Sequence, residues 1–205
     1  MRRGAVRRGG VAGGVARSRV RGQHVSPVRA GGVSGPAHLY REEAAVSDGP
    51  DRVAEALRAC GIEAPIERFA DGTATAQDAA NALGCELGQI VKTLILLADG
   101  RPTAVLVAGD RQADTAALAR LLGVSRKRLK MASPERVLEL TGFRVGGVPP
   151  VGLPGEWDLI ADESLERFTR VWAAAGASDA LFGTGTDELV AATGAQWAAI
   201  GKTRG

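Results

Sequence analysis

Two segments of this chain, some fifty residues apart, hold residue types that could do chemistry. In Gln89-Ile90-Val91-Lys92-Thr93-Leu94-Ile95-Leu96-Leu97 a lysine interrupts an otherwise apolar run, and Gly146-Gly147-Val148-Pro149-Pro150-Val151-Gly152 is a Gly/Pro loop with backbone open to a ligand. Burying an ammonium is costly without an acceptor, so Lys92 either snorkels out of a sheet edge or points into a polar cleft. Strand lysines are often edge protection, but the length of this apolar run argues against an edge. In a cleft, Lys92 would hold a phosphate or a developing oxyanion. The loop offers N–H donors at its non-proline positions, although Gly/Pro clusters also make plain tight connections. Asp110 could place a carboxylate at a cleft rim or merely begin a turn.

Other chemistries lack their parts. Both histidines, His24 and His38, fall before residue 46. A nucleophile activated by imidazole, or a histidine-held metal, therefore cannot be assembled from residues 46–205. Two cysteines, Cys60 and Cys85, without C-x-x-C spacing argue against a structural metal site and for a reducing compartment. No metal and no cofactor is expected. Gly183-Thr184-Gly185 lacks the third glycine of a dinucleotide fingerprint. Arg126, Lys127, Arg128 and Lys130 could meet nucleic-acid phosphates or form a solvated face.

Charge divides the chain. Residues 1–45 contain nine Arg and two Glu, whereas residues 46–205 contain 17 basic and 21 acidic side chains. The C-terminal part is thus mildly acidic, and nucleic-acid contact there must rest on a local patch. Residues 1–45 have no apolar periodicity and too little apolar surface to offset ordering entropy, so they are expected to be a disordered tail. Such a tail could be an RNA-binding arm, a targeting peptide, or translation from a misassigned start. The sequence favours the last, since Val46-Ser47-Asp48-Gly49-Pro50 reads as a natural beginning. Residues 46–205 suit one domain with a sizeable core. No apolar run approaches a bilayer span, so a cytoplasmic protein with no membrane partner is expected.

The elements that must position Lys92 and the loop are legible in outline. Spacing of Val53, Ala56, Leu57 and Cys60 before Gly61 predicts a helix over 51–59. Thr75-Ala76-Gln77-Asp78 predicts a capping box opening a helix to Leu83. Strands at 90–98 and 103–108 joined by Asp99-Gly100 predict a hairpin, with the lysine strand central. Further helices are predicted over 114–122, from Ser133-Pro134 to Leu140, and over 187–192 with Thr186 as cap. Strands are expected near 157–161, 170–174, 180–182 and 196–200. Without strict βαβ alternation, the fold class is α+β with a mixed, largely antiparallel sheet.

The joint pattern of Thr75-Ala76, Leu87 to Leu94, Val107-Ala108-Gly109-Asp110 and Val145 to Gly152 resembles the YbaK / prolyl-tRNA synthetase editing-domain family over about residues 50–202. The resemblance implies a single domain around a barrel-like sheet that deacylates mischarged tRNA in trans. It implies Lys92, Gly146 and Pro150 as catalytic positions, with Lys92 at the 3′-terminal nucleotide. Thr93, Gly147, Val148, Pro149 and Asp110 are implied around the substrate. Catalysis would be substrate-assisted, through a ribose hydroxyl or an ordered water. The implied partner is aminoacyl-tRNA, tRNA-Pro foremost, with prolyl-tRNA synthetase as a second. Where the cysteinyl-tRNA deacylase branch has Ser and Asp, this sequence has Ala174 and Leu181, and it lacks the histidine of the alanine-editing branch. The other functions open to this sequence are a noncatalytic tRNA- or synthetase-binding module of the same fold and a small-molecule hydrolase using the same cleft.

Overall fold

The computed structural model describes residues 49–70, 73 and 75–203. The tail expected over residues 1–45 lies outside the described residues. In chain order the elements are α1 (Gly49–Ala59), β1 (Ile66–Arg68), α2 (Ala76–Leu83), β2 (Ile90–Ala98), β3 (Arg101–Ala108), β4 (Arg111–Ala113), α3 (Thr115–Leu121), β5 (Leu129–Met131), α4 (Pro134–Thr141), β6 (Asp158–Asp162), β7 (Arg170–Ala174), β8 (Ala180–Gly185), α5 (Thr186–Thr193), β9 (Gln196–Ala198) and β10 (Gly201–Thr203). Short 3-10 turns precede β2 at Leu87–Gln89 and β7 at Glu163–Arg167.

Eight strands form one mixed sheet in the order β1-β8-β7-β2-β3-β6-β9, with β5 added beside β2. The pairs β2–β3, β2–β5, β7–β8 and β1–β8 are antiparallel, whereas β2–β7, β3–β6 and β6–β9 are parallel. Strands β4 and β10 pair separately. The β2–β3 hairpin closes on Asp99 and Gly100, whose φ values of 53° and 84° are both positive, as a type I′ turn demands.

Both faces of the central strands are buried. Val91, Ile95, Ala104 and Leu106 pack with Val53 and Leu57 of α1, Val137 of α4, Leu189 of α5 and Phe182. Leu96, Ala98, Val105 and Val107 pack on the other face with Leu118 and Ala119 of α3. This double burial explains why β2 and β3 read as continuous apolar runs rather than alternating ones. Each fully buried leucine or valine contributes about 1.5–3 kcal/mol.

Helix ends follow the local chemistry. Thr75 accepts from Asp78 N–H while Asp78 accepts from Thr75 N–H, the reciprocal capping box. Ser133 accepts from Arg136 N–H ahead of Pro134. One cap differs from expectation: Thr186 is the first residue of α5, with Gly185 as N-cap, and its hydroxyl donates to Phe168 O instead. Strands β1, β4, β5 and β10, each of three residues, were not expected, being too short to show a period.

Candidate functional site

The site grows from an interruption along one edge of β2. Away from β3, β7 pairs with Ile90 and Val91, and β5 pairs with Leu96, Leu97 and Ala98. Ile95 O accepts from Ala132 N–H at 3.0 Å. Between these partners, Lys92, Thr93 and Leu94 meet no strand on that side among the described residues. Strand backbone groups alternate sides with a period of two, so the N–H and C=O of Thr93 face the same way as Ile95 O, into the opening.

A cavity of about 200 Å³ fills this opening. Its walls come from the β2 edge, from Thr75, Ala76 and Ala79 at the start of α2, from Thr73, from Val145, Gly146 and Val148 of the Gly/Pro loop, and from Ala174 and Leu181. Ala174 and Leu181 are cross-strand partners on β7 and β8. Apart from Lys92 and the threonines, the wall is apolar. Thr93 Oγ1 is buried and has no hydrogen-bond partner among the described residues, which leaves a desolvated hydroxyl at the cavity.

Lys92 is half-buried and its ammonium is met by main chain. Nζ donates to Gly109 O at 3.2 Å and to Arg111 O. The turn supplying these carbonyls is clamped from outside, where Arg167 donates to both carboxylate oxygens of Asp110 at 3.0 and 3.1 Å. Burial would raise the Asp110 carboxyl, but the hydrogen bond and charge of Arg167, aided by Arg111, hold it below the ordinary carboxylate range. Gly109 is required by close approach: a Cβ there would lie 2.2 Å from Leu87 O.

The loop opposite Lys92 is ordered by a turn. Gly147 N–H donates to Arg144 O, and Gly147 O accepts from Gly176 N–H, both at 3.0 Å. Gly146 occupies the third turn position with φ of 93°, a backbone that favours glycine. Gly147 N–H is thereby spent inside the protein. Gly146 and Val148 are lining residues of the cavity, and their N–H groups have no backbone partner among the described residues.

The structure brings together Lys92, Thr93, Gly146 and Val148 at one cavity. It does not bring Pro150 to them; Pro150 lines a different cavity with Cys60 and Trp157. Gly147 borders a third, behind the loop. Pro149 is buried, and Asp110 is turned to Arg167. Sequence reasoning missed Thr73, Ala76 and Ala79 as wall residues; the capping box at Thr75 was the one signal that placed α2, and nothing local placed it over β2. Burial pushes the Cys85 thiol up, beyond what its backbone hydrogen bond offsets, so Cys85 is not a primed nucleophile. Among the described residues no group of His, Cys, Asp and Glu could hold a metal, and no helix is long and apolar enough to cross a membrane.

Residues 70–192 match the family model of the aminoacyl-tRNA editing domain. This chain belongs to that family. A proline–tRNA ligase of Citrifermentans bemidjiense is 36% identical over 131 residues, covering 62% of this chain and 22% of the ligase. The chain thus spans only about a fifth of the length of such relatives. YwhH of Bacillus subtilis is 35% identical over 115 residues, 56% of this chain and 71% of YwhH. Among solved structures, a candidate trans-editing enzyme for prolyl tRNA synthetase is 40% identical, with a TM-score of 0.71 over 78% of this chain and all of that one. The editing domain is therefore an α+β unit with the Lys92 cavity inside its matched region.

Proposed function

We propose that this protein is a trans-acting deacylase that hydrolyses the ester of a mischarged tRNA, with tRNA-Pro carrying a small wrong amino acid as the substrate. The observation that carries this reading is the cavity itself: Lys92, whose ammonium is held by main-chain carbonyls, and a glycine turn whose Gly146 and Val148 N–H groups have no partner among the described residues line one space of about 200 Å³. That space suits an aminoacyl group and excludes most of a nucleotide, since ligand pockets for drug-sized molecules begin at about 300 Å³.

Each group has a role on this reading. The Lys92 ammonium holds the 3′-terminal nucleotide by its phosphate, leaving the aminoacyl ester over the cavity. The N–H groups of Gly146 and Val148 donate to the ester carbonyl and to the oxyanion that forms when water adds to it. The attacking water loses its proton to solvent or to the substrate's own ribose hydroxyl, and the ribose oxygen leaves with a proton. Thr93 contributes its main-chain edge and its unpartnered hydroxyl to the substrate's amino group. Pro150 acts at a distance, by stiffening the loop, and Asp110 by holding the turn beneath Lys92. The apolar wall of Ala79, Ala174 and Leu181 suits the small apolar side chain of alanine or 2-aminobutyrate, with neighbouring amino acids discriminated only weakly.

Single-turnover deacylation of tRNA-Pro charged with Ala, 2-aminobutyrate, Cys or Ser tests the reading. Rapid release of one of them, lost in Lys92→Ala, is expected. Binding of tRNA with no release from any would replace the enzyme by a noncatalytic tRNA-binding module, and release from simple aminoacyl esters without the tRNA body would make it a small-molecule hydrolase.

A further inference from the structure

Strand β5 and the turn before it hold a concentration of positive charge that the cavity does not use. Between Asp114 and Glu135 the chain has five basic residues, Arg120, Arg126, Lys127, Arg128 and Lys130, and no acidic one. Residues 46–205 otherwise carry a clear acidic excess, so this cluster runs against the charge of its own domain. All five side chains are exposed. Arg128 is paired with Asp99 at 2.7 Å, whereas Arg126, Lys127 and Lys130 form no ion pair among the described residues.

Register fixes where this charge lies. Lys130 is opposite Leu97, four residues along β2 from Thr93, or about 13 Å at the strand rise. The period of two puts Thr93 and Leu97, and with Leu97 its partner Lys130, on the same face of the sheet. Arg126 and Lys127 precede β5 in a turn in which Arg128 N–H donates to Ser125 O at 2.8 Å, and this turn meets the far end of β2, where Asp99 N–H donates to Arg128 O at 3.0 Å. The cations therefore start a short unpaired tail's length from the cavity and continue away from it. A tRNA presents its acylated end in this manner, with a single-stranded 3′ tail followed by a duplex whose phosphates carry dense negative charge.

We propose that Arg126, Lys127 and Lys130 form a docking surface for the phosphate backbone of the duplex stem that adjoins the acylated 3′ end. The inference rests on the deacylase reading only for the identity of the RNA. The surface reads backbone charge, not sequence, so it sets affinity and orientation and leaves amino-acid choice to the cavity.

Binding of uncharged tRNA-Pro to the full chain, followed through a salt titration, tests it against the triple variant R126Q/K127Q/K130Q and the control Arg58→Gln on α1. The triple variant should bind at least tenfold more weakly at low salt and flatten the log affinity against log salt plot by up to about 2.7, while the control changes neither. Its KM for acylated tRNA should rise with kcat held, and its hydrolysis of an acylated oligonucleotide lacking the stem should equal that of the parent. An unchanged salt slope, or an equal loss on the stemless oligonucleotide, overturns the docking surface and leaves the deacylase reading intact. If the parent protein releases no amino acid yet binds tRNA with a salt dependence that the triple variant flattens, the deacylase reading fails and the docking surface stands.

Discussion

Along β2, the half from Val91 to Leu94 borders an open cavity, while the half from Leu96 to Ala98 is sealed by β5, although both are paired to β3 through an unbroken register. What separates them is the partner on the outer edge. β7 stops at Val91 and β5 starts at Leu96, and the residues between lose a neighbour. A site here needs no special sequence over a long stretch; it needs two short strands that fail to meet. On the deacylase proposal, the lysine and threonine placed in the opening have roles that the same residue types would lack two positions farther on.

The largest separation between the halves should come from Lys92→Ala. It is expected to slow single-turnover deacylation by about 100-fold or more, the scale of removing one preorganised electrostatic contact, with little change in thermal midpoint. Retained activity would reassign the site half to a passive role. Leu96→Ala should behave in the opposite way. Leu96 is fully buried, and its truncation should cost about 3 kcal/mol of stability by urea unfolding, with the turnover of folded protein preserved.

A finer comparison uses two threonines whose hydroxyls are both buried without partners, Thr93 in the open half and Thr103 opposite Leu96 in the closed half. Replacing either by valine removes an unsatisfied polar atom and should leave stability equal or raise it by about 1 kcal/mol. Only Thr93→Val should lower kcat/KM, roughly tenfold; equal kinetics for the two variants would remove Thr93 Oγ1 from substrate contact. The smallest effect concerns the clamp beneath Lys92. Because Asp110 titrates below its ordinary value, its contribution is present above about pH 4 and is lost as pH falls through the depressed folded value. The stability difference between the parent and Asp110→Asn, under about 1 kcal/mol for so exposed a pair, should therefore be seen at neutral pH and vanish in acid.

Much of the scaffold was legible because its signals are local. Asp99-Gly100 specified the hairpin, Thr75 and Asp78 the start of α2, and Ser133-Pro134 the start of α4, each within four residues. The mixed α+β sheet followed from the irregular alternation of such elements, and the family pattern placed Lys92 and Gly146 in one region of sequence. The rest depends on contacts between distant segments. Asp110 meets Arg167 57 positions away, and the opening in β2 is defined by residues after 129 and before 174. The family resemblance put Pro150 beside Gly146, whereas in the structure Pro150 lines a separate cavity with Cys60 and Trp157. Strand β5 was hidden inside a run that read as basic surface, and it is both.

Two acceptors of Lys92, Gly109 O and Arg111 O, are main-chain carbonyls, and that bears on which parts of this protein can drift. Any residue at 111 offers the same oxygen, so these two contacts survive side-chain substitution at 111 so long as Gly109 remains free of a Cβ. Of the side chains lining the cavity, Ala174 is only partly buried, whereas Ala79 and Leu181 belong to the buried core and answer to stability as well. On the deacylase proposal, a lineage could retarget this pocket at Ala174 at the least cost in packing, leaving the anchor of the charge untouched.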